Sequence, residues 1–352
     1  MERKKRIAAA LILLAVVVWI VLASYKGKRQ EQYEASFFDV FDTQTQVIGY
    51  ASSKEQFSEE ISKIKEKLVY YNELFDIYHT YDGINNLKTI NDNAGKSPVK
   101  VDEEIIDLLK LGIEMDEGTN GRVNIAMGSV LSIWHDYREE GINDPKNARL
   151  PEISILKEAA AHTDIHGIEI DEEASTVYLT DSEMSLDVGS IGKGYAVEKT
   201  AEYAREELGI TNMLFSVGGN VCTIGGHPDG SAWKIGIQNP DTESEQTYVQ
   251  KVCASDLSVV TSGNYQRYYT VDGKKYCHII NPDTLMPSDY FPSVTVVTAD
   301  SGIADALSTT LFNMSVEDGM EFVNNRDGVE AMWVLEDGTI QYSDGFAQYL
   351  EE

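Results

Sequence analysis

Asp305 and Thr309 stand four residues apart in the run "SGIADALSTTLFNM". A helix there would put a carboxylate and a hydroxyl on one face. Both are hard oxygen donors of the kind Mg²⁺ takes in small number, leaving substrate phosphates to complete its shell. The alternative is an ordinary helix start, with Asp305 offsetting the dipole and Thr309 packing. A second stretch, "MSLDVGSIGKGYAVEKTAEYAREELG", runs from a glycine-rich loop into a helix. Asp187, Gly189, Gly192 and Gly194 permit a tight turn and close approach of backbone to a ligand. The helix from Tyr195 to Leu208 would aim N–H groups at an anion, and Lys193 adds a charge. The loop is not a nucleoside-triphosphate loop. Gly192-Lys193 is followed by Gly194 rather than Ser or Thr, and the earlier glycine of that signature is missing. A plain strand–turn–helix junction is the alternative. Third, "YCHIINPDTLMP" places His278 in a strand before a Pro-containing turn. Histidine is the usual general base near neutral pH, though a strand histidine also serves structure.

Other chemistry finds less support. His162 and His166 have the spacing of a metal pair, but no third ligand is evident. His79, His135 and His227 carry no pattern. Neither G-x-S-x-G nor H-E-x-x-H occurs, which argues against a serine-triad hydrolase and a zinc protease. Cys222, Cys253 and Cys277 are widely spaced and odd in number, so they read as buried free thiols, with one disulfide as the alternative.

The elements that must position these groups follow from periodicity. "FFDVFDTQTQVIGYA" has strand character. The next segment carries Phe57, Ile61, Ile64, Leu68 and Tyr71 at helical spacing. A loop rich in Asn and Gly precedes a second helix with Asp102 as its expected N-cap. "GRVNIAMGSVLSIWHDY" enters a third helical piece, and "GIEIDEEASTVYLT" reads as a hairpin. After the glycine loop come strands and turns, the helix of Asp305, and a closing hairpin through Asp337-Gly338. Strict βαβ alternation is missing, so the expected fold is α+β, a single large domain of mixed sheets and helices.

The formal charge of −29 excludes nucleic acid as a partner, because phosphate backbones demand Lys and Arg. It also means that an anionic ligand would need a local cation. At the N-terminus, residues 1–6 form a basic n-region. The apolar run Ile7–Ala23 would rise about 26 Å as a helix, with flanking Lys and Arg to reach the headgroups. It reads as a transmembrane signal-anchor with its N-terminus inside, so that the body is exported; a cleaved signal is the alternative. The expected organisation is 1–6 cytoplasmic, 7–23 anchor, 24–36 polar tether and 37–352 catalytic domain, in a single-pass protein of the cell membrane facing outward.

Taken together, "LDVGSIGKGYAVEKT", "FSVGGNV", "VVTSGNYQRYY", "YCHIINPDT" and "SVTVVTADSGIADALSTTLF" resemble the ApbE-type FAD:protein FMN transferases. The resemblance runs from about Phe38 to the C-terminal hairpin. It implies a T-fold-like domain that moves the FMN half of FAD to a Ser or Thr hydroxyl of an extracytoplasmic acceptor protein, releasing AMP. It implies Mg²⁺ held by Asp305, Thr309 and the backbone oxygen of Ser190. It implies flavin-nucleotide contacts from Tyr78, Ile125, Ala126, Met127, Asp187, Ser190, Lys193 and Ile279, with His278 as the base. Three departures stand out: Phe41-Asp42-Thr43 for Met-Gly-Thr, Val123-Asn124-Ile125-Ala126 for a Phe-Asp-Pro-Thr-like run, and Asn281 for Asp. No copy of the Gly/Ala/Thr type of target motif is evident, so self-modification is not expected. The same site with water as acceptor would be an FAD pyrophosphatase giving FMN and AMP. With no turnover it would be a surface FAD-binding protein.

Overall fold

The computed structural model of the chain describes residues 30–351. The expected anchor lies outside the described residues. Among those described, no helix is long and apolar enough to cross a membrane. In chain order, β1 (Glu31–Val40) and β2 (Thr43–Ala51) form a hairpin, followed by α1 (Lys54–Phe75) and the short α2 (Leu87–Asp92). β3 (Val99–Lys100), α3 (Glu103–Gly118), α4 (Gly128–Asn143) and α5 (Ile153–Ala159) lead to the hairpin of β4 (Ile168–Asp171) and β5 (Thr176–Leu179). The glycine loop then opens α6 (Gly192–Glu206). Next come β6 (Met213–Val217), β7 (Asn220–Ile224), β8 (Trp233–Gln238), β9 (Tyr248–Ala254) and β10 (Ser258–Gly263). β11 (Tyr268–Val271), β12 (Lys274–Cys277) and β13 (Ser293–Thr298) follow, then α7 (Ser301–Phe312), α8 (Val316–Asn324), β14 (Glu330–Val334) and β15 (Ile340–Tyr342).

The centre is an eight-stranded sheet in the order β1-β2-β6-β7-β10-β13-β14-β15. Every pairing in it is antiparallel, as the α+β reading requires. β13, "SVTVVT", is buried at all positions because both faces are covered. Val294 and Val296 join the core under the helices, while Val297 joins an opposite core with Trp233, Val252 and Phe346. The β8–β9 ribbon therefore shields the face that the helices leave open.

Two helices matter most for the site. α7 is buried almost all round, with Ile303 and Thr309 less so, as expected of a helix sandwiched between sheet and neighbour. Ser308 Oγ donates to the Asp305 carbonyl at 2.9 Å and bonds Ser262 Oγ at 2.8 Å, pinning α7 to β10. α6 lies against it so closely that a Cβ on Gly194 would come within 2.2 Å of the Ser301 carbonyl oxygen.

Several expectations need correction. Residues 31–36, expected to be tether, belong to the folded domain, because β1 begins at Glu31 and pairs with β2 from that residue. Asp102 caps α3 by position only; its carboxylate accepts from the Tyr70 hydroxyl at 3.2 Å. Cys222 and Cys277 are buried but Cys253 is partly exposed, and all three are free. His162 bonds Asp181 at 2.7 Å rather than pairing with His166. Among the described residues no His, Cys, Asp or Glu group forms a metal cluster. β12 ends at Cys277, so His278 follows the strand instead of lying within it.

Candidate active site

The loop at Asp187 is built by backbone contacts to the segment before α4. The Asp187 N–H donates to the Ile125 carbonyl at 2.8 Å, and the Gly128 N–H to the Ser185 carbonyl at 2.9 Å. A Cβ at Gly128 would sit 2.4 Å from that carbonyl oxygen, so the approach requires glycine. Ile125, Ala126 and Met127 are buried, which leaves mainly backbone for any ligand contact. Asn124 shapes this corner: its Oδ1 accepts from the Ala126 N–H at 2.7 Å and its amide donates to the Thr163 carbonyl at 2.9 Å.

The loop then hands one amide to α7. The Tyr195 N–H bonds to the Ile191 carbonyl in the regular helical way, at 2.9 Å. The Gly194 N–H instead donates to Asp305 Oδ2 at 2.7 Å. Among the described residues no backbone N–H goes to the Ser190 carbonyl. Asp305 is only 5% exposed. Burial pushes its carboxyl above the ordinary range, while Lys193, the Gly194 N–H and the Asn220 side chain pull the other way. One turn on, Thr309 is half-buried, whereas the Thr310 hydroxyl is turned back to the Ala306 carbonyl at 2.9 Å.

Lys193 ties this centre together. Its Nζ donates to Asn220 Oδ1 at 2.8 Å, and its charge is felt by both Asp305 and His278. The His278 N–H donates to the Arg267 carbonyl at 3.1 Å, and Nδ1 lies 3.3 Å from the same oxygen. A carbonyl only accepts, so Nδ1 carries the hydrogen and Nε2 keeps its lone pair. Burial, and then the Arg267, Arg138 and Lys193 charges, hold the imidazole far below the ordinary range, at about 3. It is therefore neutral at pH 7. Ile279, next in the chain, is buried, and its carbonyl accepts from Ser288 N–H at 3.0 Å.

Tyr78 borders the opposite side. Asp76 shapes its turn by accepting from the Tyr78 and His79 N–H groups at 2.6 and 3.0 Å and from the Tyr81 hydroxyl at 2.7 Å. The Tyr78 ring is 54% exposed and lies 5.3 Å from the His135 ring. Burial pushes Asp187 up, while the Gly189 N–H, His135 and Arg138 oppose that rise. The β1–β2 turn, with Phe41 and Asp42 both at positive φ, also reaches here: the Arg267 guanidinium lies 3.5 Å from the Asp42 carbonyl.

His135, Arg138, Arg267 and Asn220 are site residues that sequence reasoning missed. The available signal for the first two was their i,i+3 spacing on α4. Asn281, where the resemblance has Asp, is a buried turn former: its Oδ1 accepts from Asp283 N–H at 2.9 Å. A surface cleft lined by Asp136, Glu139, Glu140 and Asp144 would repel a diphosphate, unlike the cationic cluster of Lys193, Arg138 and Arg267.

The chemistry of the residues fits a hard divalent cation: Asp305 is a buried carboxylate, and Thr309, one turn on along α7, carries a hydroxyl oxygen of the kind such a cation takes.

The FAD:protein FMN transferase of Klebsiella pneumoniae is 30% identical over 71% of this chain and 75% of its own length. That of Treponema pallidum is 30% identical over 74% of this chain and 73% of its own. Among solved structures, the ApbE protein of Thermotoga maritima superposes with a TM-score of 0.79 at 29% identity, covering 92% of this chain and 100% of that one. The flavin transferase ApbE of Vibrio cholerae shares the fold, at TM-score 0.75 and 23% identity over 91% of this chain and 100% of that one. A family model described as the ApbE family matches residues 41–333, and this chain belongs to that family.

Proposed function

We propose that this protein is a Mg²⁺-dependent FAD:protein FMN transferase, acting at the outer face of the membrane to which its N-terminus anchors it. FAD is the substrate, and the acceptor is a Ser or Thr hydroxyl of another exported protein. Asp305, Thr309 and the Ser190 carbonyl would hold the metal, which when bound neutralises charge on the diphosphate.

The chain's own residues do the rest. Lys193 and Arg267 draw the diphosphate to the glycine loop. Tyr78 and the backbone of 125–127 flank the flavin nucleotide, and Asp187 orients it. The acceptor hydroxyl oxygen bonds to the phosphorus on the riboflavin side. The bond from that phosphorus to the bridging oxygen breaks, and AMP leaves with that oxygen. The hydroxyl proton passes to His278 Nε2. Such transfers depend on positioning and charge more than on covalent chemistry.

The observation that carries this reading is that one bond, from the Gly194 N–H to Asp305 Oδ2 at 2.7 Å, brings the glycine loop and its Lys193 against the late helix, in a chain of net charge −29. A cation there meets phosphate charge that the rest of the chain would repel. Incubation with FAD, Mg²⁺ and exported candidate acceptors tests it. Release of AMP matched by a flavin-fluorescent protein band is expected. FMN and AMP without a labelled band would mean that water is the acceptor, and retained FAD without AMP would mean a binding protein.

A further inference from the structure

The transfer chemistry leaves one cationic side chain without a task. Arg138 lies on α4 with its side chain 19% exposed, and the nearest carboxylate, Glu139, stands 4.0 Å from Nε. Its close partner is His135, whose Nδ1 is 2.9 Å from Nη2. A guanidinium has no acceptor, so the ring offers a lone pair at Nδ1. That bond fixes the arginine in place. His135 is braced in turn by the Tyr78 ring, 5.3 Å away. On the same helix Val130 and Trp134 are buried, and the Trp134 indole donates to the Leu285 carbonyl at 2.9 Å. That anchors the helix that carries the pair.

The place is specific. Arg138 acts electrostatically on Asp187 in the glycine loop, on His278 and on Tyr78. Through His135 it stands beside Tyr78, which is proposed to flank the flavin nucleotide. A largely buried guanidinium whose nearest carboxylate stands 4.0 Å away has lost water without gaining a close counter-ion. An anion from outside the chain completes it, and a fork of N–H donors matches phosphate oxygens.

We infer that Arg138 binds an anionic oxygen of the substrate's diphosphate, with His135 as its positioning residue. This rests on the FAD reading above. Calorimetric titration of the full chain with FAD, inorganic pyrophosphate and riboflavin tests both separately. Arg138→Gln is expected to weaken FAD and pyrophosphate by roughly 10–100-fold and riboflavin by less than about twofold. Arg138→Lys, which keeps charge but loses the fork, should fall between. His135→Ala should weaken the same two ligands, and the double variant should be no worse than Arg138→Gln alone, since the histidine acts through the arginine. Unchanged affinity in Arg138→Gln, or an equal loss for riboflavin, would overturn the inference and leave the transferase reading standing. Arg138-dependent binding of pyrophosphate without any binding of FAD would support the inference and overturn that reading. A wild-type chain that binds neither would overturn both.

Discussion

The Gly194 N–H donates to Asp305 Oδ2 at 2.7 Å across 111 residues of chain. This bond joins the glycine loop to the late helix and fixes the carboxylate on which the proposed metal site depends. It also explains a glycine at a helical position, where glycine is otherwise unfavourable. The contact needs an N–H freed from the helix and a backbone that another helix can touch.

Asp305→Asn separates charge from architecture. The amide oxygen can still accept from Gly194, so the fold should hold. Turnover at ordinary Mg²⁺ should fall on the order of 10³-fold. Single-turnover AMP release against Mg²⁺ concentration is the measurement. Wild-type rates would remove the metal assignment.

Gly194→Ala tests the helix contact itself. Its Cβ would meet the Ser301 carbonyl oxygen at 2.2 Å and the Asp305 Cβ at 2.5 Å, both on a pinned helix. A loss of about 3 kcal/mol is expected, read from denaturant unfolding, together with weaker Mg²⁺ response. Unaltered stability would show that the two helices part more readily than the geometry allows.

His278 gives a pH signature. Its folded value of about 3 lies below the ordinary histidine value of 6.5. The unfolded chain therefore binds more protons between those limits, and folding stability should fall as pH drops through that window. His278→Gln should flatten the slope. In kinetics, substrate phosphates offset Arg267, Arg138 and Lys193, so the imidazole becomes easier to protonate once FAD is bound. The acid limb of kcat should lie at higher pH than that of kcat/KM. His278→Ala should lower kcat by roughly 10²–10⁴-fold. Coincident acid limbs would argue against the cationic side chains as contributors to the depressed value and leave burial alone as its cause.

Lys193 and Asn220 form a further unit. Asn220 is 1% exposed, and its Oδ1 accepts a hydrogen bond from Lys193 Nζ at 2.8 Å. Lys193→Gln should raise KM for FAD roughly tenfold and reduce the salt dependence of binding. Asn220→Ala should reproduce part of that loss. Steady-state kinetics across ionic strength would check this, and an unchanged KM in both variants would place the diphosphate elsewhere.

Much of this centre was legible in the sequence, because its parts obey local rules. The i,i+4 pair Asp305 and Thr309, the glycine loop before a helix and the largely β-branched "SVTVVT" each carry their own signal. His135 and Arg138 did not, since an i,i+3 pair on an amphipathic helix looks like ordinary surface. Their meaning comes from what α4 packs against. Asp102 failed as a side-chain cap because Tyr70 competes for its carboxylate. The edge strand from Glu31 was hidden by its polarity: an edge faces water, and charged residues there protect it. Asn281 shows the reverse, a change from the family pattern whose amide donates to the Asn313 carbonyl at 3.3 Å, a bond an aspartate carboxylate could not make.

The most direct test is peptide mapping by mass spectrometry of exported proteins produced together with this enzyme. The account expects a phosphoester-linked FMN on a Ser or Thr of at least one of them, present with the wild-type chain and absent with Asp305→Asn. An active, FAD-consuming wild-type enzyme that leaves every exported protein unlabelled would contradict it.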